Sequence, residues 1–238
     1  MSDNPTPLPH LGADSRDRSV AILRAALGSV PVAGAVLSEL ITNLVPDQRM
    51  DRLERYLTEL ARRLDGIAQP DRLRELFNDQ TNVALVEDGA YQAARALTQE
   101  RIERIADCVA HGVSAEHVDS LLKRRILTTL GELDDQHLAI LRAHAVRSFH
   151  AVDKLRPRAV ATLGRPPSLK ELEGTMLWHS ALGKLERMAL LDFKPKLKAI
   201  DNRYPIPQYD SHGRPEGSYQ ITSFGNQLLV ASGLASEA

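Results

Sequence analysis

Residues 168–193, "SLKELEGTMLWHSALGKLERMALLDF", carry the densest set of local structural signals in the chain. Ser168 followed by Glu171 makes a capping box, so a helix is expected to begin there. Gly174 reads as the stop of that short helix and Thr175 as the N-cap of a second one. In the second helix Leu177, Ala181, Leu185 and Met188 recur at helical spacing and predict an inward stripe, with "LLDF" leaving as a strand. Two helices joined at a tight turn and followed by a strand predict a helix–turn–helix with a hairpin behind it.

Upstream, residues 133–150 predict one amphipathic helix through Leu138, Ile140, Leu141, Ala145 and Phe149. Asp134 and Asp135 suit its start, where carboxylates meet the positive end of the helix dipole. A loop marked by Pro157, Gly164, Pro166 and Pro167 follows. Downstream, "GSYQITSFGNQLL" predicts a strand over 219–222 and a helix capped by Ser223. The 25 residues between Phe193 and Tyr219 include Lys194, Lys196, Lys198, Arg203 and Arg214. They also hold Pro205, Pro207 and Pro215, which are expected to keep the segment out of regular strand.

Residues 134–232 resemble bacterial winged-helix domains. The likeness rests on "LKELEGTMLWHSALGKLERMALLDF" for the helix–turn–helix and first wing strand. It rests also on "YQITSFGNQLL" for the returning strand and closing helix, with Ile221 and Thr222 ahead of Gly225, Leu228 and Leu229. The resemblance implies binding of DNA or of a protein partner through the second helix and the wing, whose tip here is longer than usual. On that second helix Thr175, Met176, His179, Ser180, Gly183, Lys184 and Arg187 are expected to face outward. Lys184 and Arg187 suit guanine edges or phosphates, and His179 and Ser180 suit further polar contacts. Lys194, Lys196, Lys198 and Arg203 of the wing suit phosphates. Glu171, Glu173 and Glu186 lie beside these cations and weaken the basic footprint, so DNA and protein both stay open as partners. Trp178 is expected to pack between helices.

Residues 25–46, "AALGSVPVAGAVLSELITNLVP", are the most apolar stretch. A spanning helix needs roughly 20 apolar residues, whereas the uncharged run here is the fourteen residues 25–38, interrupted by Pro31. Two helices over 15–27 and 30–45, joined at "GSVP" and buried in a bundle, are expected. The alternative is a membrane-acting hairpin, as in an effector that kills its own cell during phage infection. The whole chain also resembles uncharacterised bacterial helical proteins with a "GSVPVAG"-like hairpin ahead of a charged helix, a likeness that implies no activity and no site residues.

Met50, Leu53, Leu57, Leu60, Leu64 and Ile67 follow at spacings of 3, 4, 3, 4 and 3, the a/d pattern of a coiled coil. They predict either a bundle helix or the seam of a homodimer. Further helices are expected over 70–97, from Thr98 to Gly112, and from a Ser114 cap with Val118, Leu121, Leu122, Ile126 and Leu130 inward. The fold class expected is mainly α. A lead over 1–14 precedes a helical bundle over 15–133, and a winged helix with a small β-hairpin wing follows over 134–238.

The composition, 43% hydrophobic and 26% charged with a net charge of −1, is that of a globular protein and argues against coating nucleic acid non-specifically. The halves differ slightly: 16 basic against 19 acidic groups up to residue 130, then 14 against 12. The one cysteine, Cys108, lies in an apolar stripe and is expected to be buried and inert, in a reducing cytoplasm. "MSDNPTPLPHLGADSRDRS" lacks the pattern of a signal peptide. His137 and His144, seven apart, have no partner at i+4 and are read as solvent-facing or capping groups rather than metal ligands. No phosphate loop, nucleophile elbow or kinase set is present. A non-enzymatic regulator or adaptor without metal, cofactor or small-molecule substrate is therefore expected.

Overall fold

The structure, a computed structural model, describes residues 47–66, 70–115, 118–146, 149–157, 166–200, 204–210, 213 and 215–235. It is mainly helical, with short antiparallel strand pairs near the C-terminus, and divides into compact units at Gly131 and Glu132. The helices expected over 15–27 and 30–45 lie outside the described residues, as do Ile67, Arg203 and the side chain of Met50.

The first unit contains α1 (Asp47–Asp65), α2 (Pro70–Phe77), α3 (Gln80–Ala93), α4 (Gln99–Ser114) and most of α5 (Ser120–Glu132). Its centre is α1, which packs on α4 and α3. Leu53, Leu57, Leu60 and Leu64 are all buried there, joined by Tyr56 and Ala61 one step round the helix. The four described leucines of the heptad row are thus covered by the chain's own helices, as a bundle helix requires. Burying each such leucine is worth about 1.5–3 kcal/mol, which an intramolecular contact gains without the entropy of association.

Tyr56 is wholly buried, and its hydroxyl donates to the Val86 carbonyl at 3.1 Å. Burial pushes its pKa well above the ordinary value, so it stays a neutral donor. The ring fits because residue 89 is glycine; a Cβ there would sit 2.4 Å from the Tyr56 hydroxyl and 2.7 Å from Val109. On the rim, Arg63 bridges Glu59 on its own helix to Asp107 on α4, one of its two bonds to Asp107 measuring 3.1 Å. Cys108 is buried beside this rim, and burial pushes its thiol up to about 12.

Thr98 caps α4 as expected, its hydroxyl accepting from the Arg101 N–H. The end of α4 differs from expectation. Gly112 sits inside the helix beneath Leu85, and Ser114 donates back to the Ala110 carbonyl at 2.8 Å instead of capping the next helix. The cap of α5 is Asp119, which accepts from the Leu121 N–H at 2.7 Å. Shifting the start by a turn leaves Val118 and Leu121 exposed, and the inward stripe begins at Ile126, Leu127 and Leu130.

The second unit runs through α6 (Asp135–Ala145), α7 (Phe149–Leu155), α8 (Leu169–Arg187), β1 (Leu191–Pro195), β2 (Leu197–Ile200), β3 (Tyr204–Pro207), β4 (Gly217–Ile221) and α9 (Ser223–Ala231). Asp134 caps α6 in a reciprocal box with His137. The expected turn at Gly174 does not exist, because α8 is one continuous helix. The Ser168–Glu171 box starts it, and the Thr175 hydroxyl donates to the Glu171 carbonyl at 2.9 Å, satisfying the helix where a second cap was expected. A mid-helix glycine costs only about 0.5–1 kcal/mol and breaks a helix only when an alternative repays it.

The inward stripe of α8 is Trp178, Ala181, Leu182 and Leu185, and Leu138, Leu141, Leu190, Leu228 and Leu229 of the same unit are buried as well. Leu177 is 59% exposed, contrary to its expected place in that stripe. The helix ends where Ala189 takes the left-handed conformation, φ 57°, and the Leu190 N–H reaches the Leu185 carbonyl at 2.9 Å. β1 then pairs antiparallel with β4, with Leu191 opposite Ile221 and Phe193 opposite Tyr219. Thr222 closes the unit. Its N–H donates to the Leu190 carbonyl at 3.1 Å, and its hydroxyl donates to the Ala189 carbonyl at 2.7 Å while accepting from the Gly225 N–H at 2.9 Å. Thr222, not Ser223, therefore caps α9.

The wing branches. Lys196 donates its N–H to Glu216 at 2.7 Å and accepts from Gln208 at 2.8 Å, and Gln208 in turn accepts from Glu216 at 2.7 Å. Beyond this three-way junction β2 pairs with β3. Pro205 and Pro207 thus lie in a strand after all. Since the Gln208 N–H points at β2, alternation turns residues 205 and 207 to the free edge, where proline forfeits no ladder bond.

Two predictions follow from the close approaches. Gly89→Ala is expected to destabilise the first unit and Gly225→Ala the second, each by about 1–3 kcal/mol, because a Cβ at 225 would lie 2.5 Å from the Leu190 carbonyl oxygen. Urea unfolding of the full chain, followed by circular dichroism, measures both. Cys108 is expected to stay unreactive toward Ellman's reagent in the native protein and to titrate fully once denatured.

Candidate partner-binding surface

With α8 continuous, its solvent side is set by helical geometry opposite Trp178, Ala181 and Leu185. Leu169 is 78% exposed and Met176 71%, with Leu172 exposed between them, at spacings of 3 and 4 residues. Leu177 adds to one flank. Ser180, Gly183 and Arg187 continue the same side toward the C-terminus. The outer face is therefore apolar along its first half and small or cationic along its second.

The residues expected on this surface separate. Ser180 and Arg187 are exposed on it. Thr175 is half-buried and bonded to Glu171. His179 is exposed but lies on the flank shared with Glu186, which lines a cleft. Lys184 is on the other flank, and its Nζ donates to the backbone oxygen of Glu132, the first residue of the same unit. Lys194 and Lys196 are also engaged. Lys194 forms an ion pair with Asp192, and Lys196 lies 3.6 Å from Glu216. Lys198 is exposed on β2 opposite Ile206. Around it Leu197, Ile206 and Tyr209 are 52%, 45% and 60% exposed. The segment from β1 to Tyr209 thus shows compensated charge at Lys194 and Lys196 beside uncovered apolar side chains.

Trp178 is 4% exposed, on the inner side of α8. His144 was expected at the solvent or in a cap; it instead lies half-buried, edge-on to Tyr219 with ring centroids 6.4 Å apart. Burial holds its pKa below the ordinary value, against a hydrogen bond to the Tyr219 backbone that favours the charged form. Sequence periodicity could not find this pairing, because α6 and β4 are distant in the chain. The exposed row Leu169, Leu172 and Met176 was missed for another reason: the supposed break at Gly174 reset the helical phase. Among the described residues no group of His, Cys, Asp or Glu is arranged to hold a metal ion, and no helix is long and apolar enough to cross a membrane.

Comparison with family models, with curated proteins and with solved structures finds no match.

Gly174 has nothing within 4 Å of the place a Cβ would take. Gly174→Ala is therefore expected to stabilise the continuous helix by about 0.5–1 kcal/mol, read as a higher melting temperature of the full chain.

Proposed function

We propose that the second unit is a winged helix with α8 in the recognition position, and that the protein is a non-enzymatic adaptor or regulator whose recognition helix binds another protein. The helix, helix, helix, strand, long hairpin, strand order supports the first part. The apolar outer face of α8 carries the second: Leu169, Leu172 and Met176 stand where a DNA reader places cations and amides. Phosphate contact gains affinity by releasing counterions, which requires uncompensated lysine or arginine. Here Lys184, Lys194 and Lys196 each already have a partner within the unit. The partner expected is a protein helix or strand with its own apolar stripe, docking along the first half of α8 and against the wing.

The test uses the tagged full chain in cells that naturally express it, with a photo-cross-linking residue at Leu172. A cross-linked protein partner is expected. Met176→Glu is expected to weaken its purified complex at least about 30-fold, as for loss of an interface hot spot, while Lys198→Ala leaves it nearly unchanged. A complex that survives Met176→Glu unweakened overturns the proposal. So does a mobility shift of duplex DNA in about 50 mM salt that Lys194→Ala and Lys198→Ala abolish.

A further inference from the structure

The β2–β3 hairpin has two outer edges, and they are not alike. The Gln208 N–H donates to the Lys196 carbonyl, so along β2 residues 196 and 198 turn their backbone groups toward β3 while Leu197 and Ala199 turn theirs away. The register sets Leu197 opposite Pro207 and Ala199 opposite Pro205. Both outward positions of β3 are thus prolines, which offer no N–H to a further strand. Both outward positions of β2 keep an N–H and a carbonyl. Among the described residues no third strand pairs with them, since β2 and β3 form a two-stranded sheet. An edge in this state is a template for an added strand.

The side chains select which strand. Lys198 shares one face of the hairpin with Ile206, opposite it, and with Lys196 by alternation, while Leu197 lies on the other face and is 52% exposed. Lys196 lies 3.6 Å from Glu216 in an exposed pair, and Lys198 has no carboxylate within ion-pair distance among the described residues. A second copy of β2 is a poor fit. In the antiparallel registers that use the Leu197 amide, with Leu197 facing Leu197 or Ala199 of the copy, a lysine meets a lysine, and like charges directly opposite are destabilising. The places opposite Lys196 and Lys198 are the non-hydrogen-bonded pairs, where side chains approach most closely. Carboxylates there meet both cations. We infer that the free edge of β2 takes up an extended acidic peptide in which Glu or Asp alternates with apolar residues, added antiparallel as a third strand. Its apolar residues exchange backbone hydrogen bonds with Leu197 and Ala199 and pack on the Leu197 face, and its carboxylates lie beside Lys196 and Lys198. The site uses β2 and none of the apolar row on α8, so it stands or falls independently of a partner on that helix.

The probe is a fluorescein-labelled peptide of three Glu-Val repeats, titrated with the full-length protein and read by fluorescence anisotropy. Saturable binding is expected with a Kd of about 10–100 μM, in keeping with one short added strand. In the inferred register only the valine amides face β2. N-methylation of the valines is therefore expected to weaken binding about ten-fold or more, and N-methylation of the glutamates to leave it within about three-fold. A peptide of Lys-Val repeats should not saturate. The Ala199 N–H takes no part in the hairpin, so Ala199→Pro is expected to keep the circular dichroism spectrum and melting temperature and to lose about ten-fold or more in affinity. Lys198 is exposed, and Lys198→Glu is expected to shift preference from the Glu-Val to the Lys-Val peptide. Met176→Glu should bind as the native protein does. Absence of saturation by about 1 mM protein, equal weakening by the two N-methylated peptides, which would mark attraction by charge alone, or undiminished affinity in folded Ala199→Pro overturns the inference.

Discussion

The second unit depends on one side chain that joins three segments of chain. The Thr222 hydroxyl donates to the turn that ends α8, at Ala189, and accepts from the first turn of α9, at Gly225. The Thr222 N–H meanwhile holds the Leu190 carbonyl, so β4 is tied to the start of β1 at the point where both leave the helices. The turn it fastens is costly, because Ala189 takes a left-handed conformation that disfavours any residue with a Cβ by roughly 1–2 kcal/mol. The ladder, the cap and the burial of Leu190, Leu191, Leu228 and Leu229 offset that cost together. Gly225 belongs to the same device, since only a residue without a side chain lets the Leu190 carbonyl approach so closely.

The first unit has a comparable constraint of a different kind. Tyr56 fills the space between α1, α3 and α4, and its one polar atom must find an acceptor there, since burying a hydroxyl without one costs about 1–3 kcal/mol. The Val86 carbonyl supplies it, and the absence of a side chain at Gly89 leaves room for the hydroxyl end of the ring. Leucines alone would bring α1 against its neighbours in several registers; the hydrogen bond and the glycine select one. The Arg63 bridge to Asp107 then fixes the same pair of helices at the rim.

What was legible in the sequence divides along this line. Periodic burial was plain: Leu53, Leu57, Leu60 and Leu64 are inside, as their spacing requires, and Ile126 and Leu130 likewise. The strand and closing helix around Thr222 were also legible, with the cap one residue off at Ser223, whereas the ties from Thr222 to Ala189 and Leu190, distant in the chain, were not. Features that depend on competition between local options were not. Gly174 and Thr175 look like a stop and a start, yet Thr175 is satisfied within the helix and nothing repays a break. Ser114 looks like a cap, yet Asp119 takes that role and shifts a whole stripe outward. Pro205 and Pro207 looked incompatible with a strand, but their alternation places both on the unpaired edge. Least legible were His144, Glu186 and Tyr219, brought together from α6, α8 and β4, whose association no local pattern encodes.

The outer face of α8 gains its meaning from the size of two competing effects. A compensated surface lysine contributes about 0–1 kcal/mol to any contact, and must first give up the carboxylate it already holds. An exposed leucine or methionine contributes about 1.5–3 kcal/mol when a partner covers it, at no such cost. Leu169, Leu172 and Met176 sit on one continuous helix, so under the proposed reading their backbone positions would be set before a partner arrived and less entropy would be lost on docking. A helix broken at Gly174 would have placed Leu169 and Leu172 on a separate segment. Its continuity is what aligns three apolar side chains on one face, with Trp178 and Leu185 anchoring the opposite face in the core. One helix thereby has two apolar sides, of which the fold itself covers only one.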